Sequence, residues 1–244
     1  MNYLEQLTRL WQSIPDQLPI RIKERGYVVS ENHGNKDILI TGMNPSFREG
    51  AVCQSGTYSF ETILLDAKGD SYWSPIKDML FSDSIDLKNK AAYWDLFCFR
   101  ETEQSFLSKE ILSRDGGISF IAEQLNITQH VIEEIITPKV IVVANKESAA
   151  YWGKLSDLGY IWMGYDLKYI GNVFCGELYR IEGLLDSKER ISPEITDSKL
   201  KGAFVLFTSY LKSLSKEKRP TVDFLNTLLS YYCIEGKLQE YLNK

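Results

Sequence analysis

Ile38-Leu39-Ile40-Thr41-Gly42-Met43-Asn44-Pro45-Ser46 joins an apolar run to a polar loop, and the architecture follows from that junction. A short continuous apolar run cannot lie on a half-exposed surface, so Ile38–Thr41 reads as a strand buried on both faces. Gly42 ends it, and the absence of a side chain there lets a backbone or a ligand approach closely. Asn44 offers a carbonyl acceptor and an amide donor. Pro45 fixes its own backbone and restricts Asn44 to extended conformations, and Ser46 adds a hydroxyl. The result is a stiff polar cradle suited to orienting a water or a ligand, built from residues that are also ordinary turn chemistry.

Outward from this junction the same pattern repeats. Lys139–Ala144 is a second buried strand after Pro138. Ala92–Phe99 is a third, dense in aromatics, and the stretch 160–182 supplies one or two more, including Glu177–Glu182. Helical spacing appears over 3–14 (Leu4, Leu7, Leu10, Trp11, Ile14) and over 198–214 (Leu200, Phe204, Phe207, Leu211). Further helices are predicted over about 61–67, 75–81, 118–125 and 128–136, the last with Asn126 and Gln129 spaced as a capping box. Another runs from Asn145, as cap, through Trp152.

Alternation of this kind predicts an α/β protein, three layers α/β/α around a central, mainly parallel sheet of about four strands. Ligands of such sheets sit beyond the carboxyl ends of the strands. The loops after Thr41, Phe99, Ala144 and Glu182 are therefore expected to converge on one cleft. Residues 1–219 read as one domain. The basic run Lys216–Arg219 reads as a linker, and 220–244 as a helical appendage with helices over 221–231 and 236–242.

Composition narrows the classes. The chain has 244 residues, 44% hydrophobic and 25% charged, enough for one large domain with a real core. A net charge of −5 argues against a general nucleic-acid coat protein but allows a local patch around Arg48, Lys68, Lys77, Lys88 and Lys90. The four cysteines, Cys53, Cys98, Cys175 and Cys233, are far apart, and His33 and His130 are the only histidines. Zinc-ribbon, dithiol and histidine-rich metal chemistry are thus not expected, and neither is a cofactor. His33 reads as a loop residue and His130 as a packing or surface residue of a helix. The N-terminus lacks a signal-like pattern and no apolar run approaches membrane-span length, so a cytoplasmic protein without a membrane partner is expected. Asp95, Glu101 and Glu103 could hold magnesium, although a solvated charged loop is the simpler reading. Ser46 lacks the Gly-x-Ser-x-Gly setting of an acyl-transfer nucleophile.

Several segments, taken in order, resemble one family. Gly42-Met43-Asn44-Pro45 is similar to the Gly-x-Asn-Pro loop of the uracil-DNA glycosylase superfamily, nearest its mismatch-specific uracil/thymine branch. Ser71–Ile76 resembles the aromatic helix start that follows there. Trp94–Phe97 with Arg100-Glu101-Thr102 resembles its second strand and the closing arginine. Ile132–Ile135, Pro138–Val143 and Lys146–Ala149 resemble the third helix–strand–helix, and Tyr169–Asn172 with Glu177–Ile181 the last core hairpin. The resemblance covers roughly residues 37–214. It implies a DNA glycosylase that hydrolyses the N-glycosidic bond of a deaminated or damaged base in DNA repair, or a non-catalytic protein binding nucleic acid or a nucleotide on the same scaffold.

The resemblance also implies roles. Asn44 would position the hydrolytic water, beside Gly42, Met43, Pro45 and Ser46. Tyr58 or Phe60 would stack on an extruded base, and Asp95 would stand where relatives use asparagine to read its edge. Arg100 would close the second strand. The family places His-Pro-Ser or Asn-Pro-Ser after its last strand; here Gly183-Leu184-Leu185-Asp186-Ser187 follows, and Ser187 alone carries over. A carboxylate at Asp95 repels an anionic leaving base unless it is protonated.

Overall fold

The computed structural model describes every residue except 1, 32, 33, 49, 67, 160, 233–237, 239–241, 243 and 244. The readings placed on His33, on Cys233 and on most of 236–242 lie outside the described residues. The first half contains α1 (Tyr3–Gln12), α2 (Ile20–Arg25), β1 (Val28–Ser30), β2 (Ile38–Thr41), β3 (Gly56–Tyr58), α3 (Phe60–Leu65), α4 (Ser74–Asp78) and β4 (Ala91–Tyr93). The second half contains α5 (Gly117–His130), β5 (Val140–Val143), α6 (Ala149–Trp152), β6 (Tyr165–Val173), β7 (Gly176–Leu184), β8 (Phe204–Phe207) and α7 (Val222–Tyr231).

The protein is α/β, with helices on both faces of a central sheet. That sheet has six strands in the order β4-β2-β5-β8-β7-β6. The four from β4 to β8 are mutually parallel; β7 runs antiparallel to β8, and β6, antiparallel to β7, returns to the direction of the four. The expected sheet of about four strands is thus enlarged into a mixed sheet. Ile38, Leu39 and Ile40 are fully buried, and alternate residues enter different cores. Leu39 joins Leu7 and Trp11 of α1 and Phe120 and Ile121 of α5. Ile38 and Ile40 join Phe60 and Leu64 of α3, Ile76 of α4, and Phe224, Leu225 and Leu228 of α7. Val140–Val143 and Phe204–Phe207 divide between the two cores in the same way. Continuous apolar strands here follow from having a helical layer on each side. The segment after Pro220 contributes α7 to the second core, with Thr221 accepting the Phe224 N–H as its cap.

Several boundaries differ from expectation. The helix predicted over 198–214 is replaced by β8, flanked by a short 3-10 turn at Leu211–Ser213. The spacing of Leu200, Phe204, Phe207 and Leu211 imitates a helix. The uninterrupted Phe204-Val205-Leu206-Phe207, buried on both faces between β5 and β7, has the pattern of an inner strand. The two helices predicted over 118–136 are one, because α5 runs through Asn126 and continues as a π-helical turn, Val131–Ile136. The strand predicted over 92–99 is only Ala91–Tyr93. Beyond it the chain stays beside β2 and binds the polar loop instead. Between the polar loop and α3 the chain also forms β3, which pairs with β1 in a separate two-stranded parallel sheet.

Candidate functional site

A cavity of about 630 Å³ opens at the carboxyl ends of β4, β2 and β5. Gly42, Met43, Asn44, Pro45 and Ser46 form part of its wall, with Tyr58, Asp95, Ala144 and Asn145. The loop after β8 adds Tyr210, and the segment before α4 adds Tyr72 and Trp73. Three of the four loops expected to converge do so, although the contribution after β4 begins already at Asp95. The fourth does not. β7 starts at the cavity end, with Glu177 opposite Phe207, and runs antiparallel to β8. The loop after Glu182 therefore leaves from the opposite end of the sheet. Ser187, in a 3-10 turn capped by Asp186, goes with it and does not line the cavity. The segment at the cavity end of the last parallel strand is Thr208-Ser209-Tyr210.

The polar loop is held by its neighbour. Leu96 N–H donates to Gly42 O (3.1 Å), Phe97 N–H to Met43 O (2.8 Å) and Glu101 N–H to Pro45 O (2.9 Å). Asn44 Nδ2 donates to Glu101 O at 2.7 Å and to Pro45 O at 3.1 Å. Both acceptors are carbonyls, so the amide can be oriented only one way. Its Oδ1, an acceptor, has no hydrogen-bond partner among the described residues. A fixed acceptor of this kind can hold a water by one of its hydrogens.

Glu101, whose backbone receives Asn44, is itself fixed. Its carboxylate pairs with Arg25 at 2.7 Å and Arg21 at 3.3 Å and accepts the N–H groups of Thr102 (2.8 Å) and Glu103 (3.2 Å). Burial alone would raise this carboxyl, but those two N–H groups and the two arginines outweigh burial and hold it below its usual range. Glu101 is thus an anchor, and among the described residues no group of three or more His, Cys, Asp or Glu is placed to hold a metal ion. Arg100 does not line the cavity. Its guanidinium donates to Val52 O (2.6 Å), Arg25 O (3.0 Å) and Gln54 O (3.3 Å), tying two loops to the segment after β4.

Asp95 forms the floor. Tyr93 donates its hydroxyl proton to Asp95 Oδ1 at 2.9 Å and so must accept from Tyr72, whose hydroxyl lies 2.7 Å away. Burial pushes the Asp95 carboxyl up to about 7, against the lowering effect of the Tyr93 bond. Because Oδ1 receives the Tyr93 proton, the proton of neutral Asp95 belongs on Oδ2, which has no partner among the described residues. Gly42 makes this packing feasible. A Cβ at position 42 would fall against Asp95 Oδ1 and 2.7 Å from the Tyr93 hydroxyl.

The remaining wall is aromatic. Trp73 stands 4.8 Å from Tyr72, 4.9 Å from Tyr93 and 6.1 Å from Tyr58 between ring centroids, and Tyr72 is 6.2 Å from Tyr210. Of the two stacking candidates, Tyr58 lines the cavity. Phe60 is 3% exposed and lies behind it, 5.8 Å from Trp73 and 5.6 Å from Tyr93. On the rim Arg48 pairs with Asp70, and Lys212 donates to Ser71 Oγ at 2.9 Å.

Asn145, read from sequence as a helix cap, is one of the cavity residues whose place in the site was not foreseen, with Tyr72, Trp73, Tyr93 and Tyr210. It is 7% exposed and its Oδ1 accepts the Glu147 N–H at 2.8 Å, a turn preceding α6. Tyr210 was hidden by the incorrect helix over 198–214. The signal for it lay in the apolar run Phe204–Phe207, which makes 208–210 a strand-end loop. A comparison with protein-family models and with curated proteins finds no match to this chain.

Proposed function

We propose that this cavity receives a base extruded from DNA and that the protein hydrolyses its N-glycosidic bond, on a uracil-DNA glycosylase-like scaffold. The observation that carries this reading is the fixed Asn44 amide, whose free acceptor faces a cavity walled by aromatic rings at the ends of parallel strands. Aromatic walls favour a flat heterocycle over an extended aliphatic ligand, since each ring contributes stacking area at little entropic cost. The volume suits a nucleoside-sized group.

In this reading Asn44 Oδ1 accepts one hydrogen of a water and aims its oxygen at the sugar C1′. The new C–O bond forms as the C–N bond breaks, and the bonding pair leaves with the base. The water's remaining proton goes to solvent and the base is protonated on release. Asn44 positions this water without taking its proton, because an amide is not a base. Negative charge grows on the departing base, and a neutral Asp95 can donate from Oδ2 toward it, where a carboxylate would repel it. Burial lets this carboxyl keep its proton toward neutral pH, and a protonated Asp95 does not repel an anionic leaving base.

The test is single-turnover incubation of excess protein with duplex and single-stranded oligonucleotides carrying uracil, hypoxanthine, xanthine or a mismatched thymine. Abasic sites are then revealed by hot alkali. Strand scission at one of these bases supports the proposal. Binding of the oligonucleotides without scission would replace it with a non-catalytic protein that holds a base in the same cavity.

A further inference from the structure

We propose that Asn145 is a specificity-determining residue of the cavity, donating from Nδ2 to an exocyclic carbonyl oxygen of the bound base and so selecting oxo bases over their amino counterparts. This rests on the reading of the cavity as a base-binding site. Asn145 is almost wholly buried, and it lines the cavity. Its orientation is determined, because the Glu147 N–H can meet only an oxygen, which leaves Nδ2 as the free end. Nδ2 has no hydrogen-bond partner among the described residues. A donor open to the cavity on a side chain that is otherwise buried and fixed in orientation marks a place where a ligand acceptor fits.

Register supports the same conclusion. Leu39 of β2 lies opposite Ala92 of β4 on one side and Ile141 of β5 on the other. Asp95 and Asn145 thus follow the two strands that flank β2, with Gly42 between them. Adjacent strands are about 4.8 Å apart, so two spacings leave roughly the width of one ring with a hydrogen bond at each edge. The absent Cβ of Gly42 keeps the middle clear. Uracil and hypoxanthine present a carbonyl oxygen where cytosine and adenine present an amino group. An amino group facing Nδ2 would set donor against donor and leave both unpaired.

The experiment is calorimetric titration of free uracil, hypoxanthine, cytosine and adenine into the full chain and into Asn145→Asp and Asn145→Ala. Asn145→Asp keeps the oxygen that receives Glu147 N–H and exchanges the donor for an acceptor; thermal melts verify that each variant is folded. An oxo base is expected to bind the unaltered chain at least tenfold more tightly than its amino counterpart. Asn145→Asp should lose that binding by tenfold or more, and Asn145→Ala should lose the preference. The inference is overturned if no free base binds, if oxo and amino bases bind alike, or if folded Asn145→Asp retains the oxo base. Selective binding that depends on Asn145, in a chain that cleaves no glycosidic bond, overturns the hydrolytic proposal and upholds this one. Cleavage unaffected by Asn145→Asp does the reverse.

Discussion

The Tyr93 hydroxyl donates to Asp95 Oδ1 across 2.9 Å, and both groups occupy the space that a side chain at position 42 would need. The glycine after β2 is therefore a packing requirement of the acid on the neighbouring strand end. Gly42→Ala should destabilise the protein by about 1–3 kcal/mol, the range for forcing an added methyl into filled space. It should also displace Asp95 from the cavity floor. Urea unfolding of the variant measures the first effect, and a stability unchanged from the parent would show that Tyr93 and Asp95 yield freely.

Asp95 makes stability depend on pH in a defined direction. Its folded-state carboxyl keeps its proton up to about 7, whereas the unfolded chain loses it near the ordinary carboxylate value. The contribution is therefore fully present below the unfolded value and is lost as pH rises to about 7. Asp95→Asn retains an oxygen for Tyr93 and cannot ionise. Its stability relative to the parent should rise by on the order of 2–3 kcal/mol between pH 5 and pH 8, then level. Denaturation at a series of pH values checks this, and a gap that does not vary with pH contradicts it.

Arg25 and Glu101 give the opposite dependence. Glu101 is held below its usual range, so its pairing stabilises the fold above the ordinary glutamate value and is lost as pH falls through the lowered one. Arg25→Met leaves Arg21 as the remaining cationic partner. A loss of about 1–3 kcal/mol is expected at pH 7, less than for a wholly unpaired buried charge. Acid titration of both proteins should bring their stabilities together.

Tyr58 tests the aromatic wall. It is half-buried and faces the cavity, so Tyr58→Ala should weaken binding of a base-bearing oligonucleotide by about 1–3 kcal/mol with a smaller change in stability. Phe60→Ala, behind the wall and 3% exposed, should instead cost stability of about 3–5 kcal/mol. Affinity and unfolding measured side by side separate the two residues.

How much of this was legible follows from the kind of signal each residue carries. Ile38–Thr41 and Val140–Val143 declare themselves because a strand covered on both faces must be apolar throughout, and the loops after them lead directly to Asn44 and Asn145. β8 did not, because its Phe204 and Phe207 sit three residues apart within a longer helical spacing, and the sequence alone does not say which neighbours cover it. That error moved the expected last strand to 177–182, whose direction is antiparallel, and carried Ser187 to the wrong end of the sheet. Asp95 was singled out by its place after β4, but its retained proton comes from burial, which outweighs the Tyr93 hydrogen bond and which only the assembled fold produces. Asn145 was read through its oxygen, as a cap, and its free nitrogen became visible only beside the cavity.

The most direct test of the account is the single-turnover rate of Asn44→Ala on an oligonucleotide whose base the parent removes, measured with its binding affinity for that oligonucleotide. Loss of the Oδ1 acceptor should slow base release by about a hundredfold or more, the scale for removing one group that positions or stabilises the reacting atoms. Binding should change by less than about threefold, because the aromatic wall and Asn145 remain. Cleavage at the parental rate would contradict the account, since the fixed acceptor of Asn44 would then have no part in the reaction.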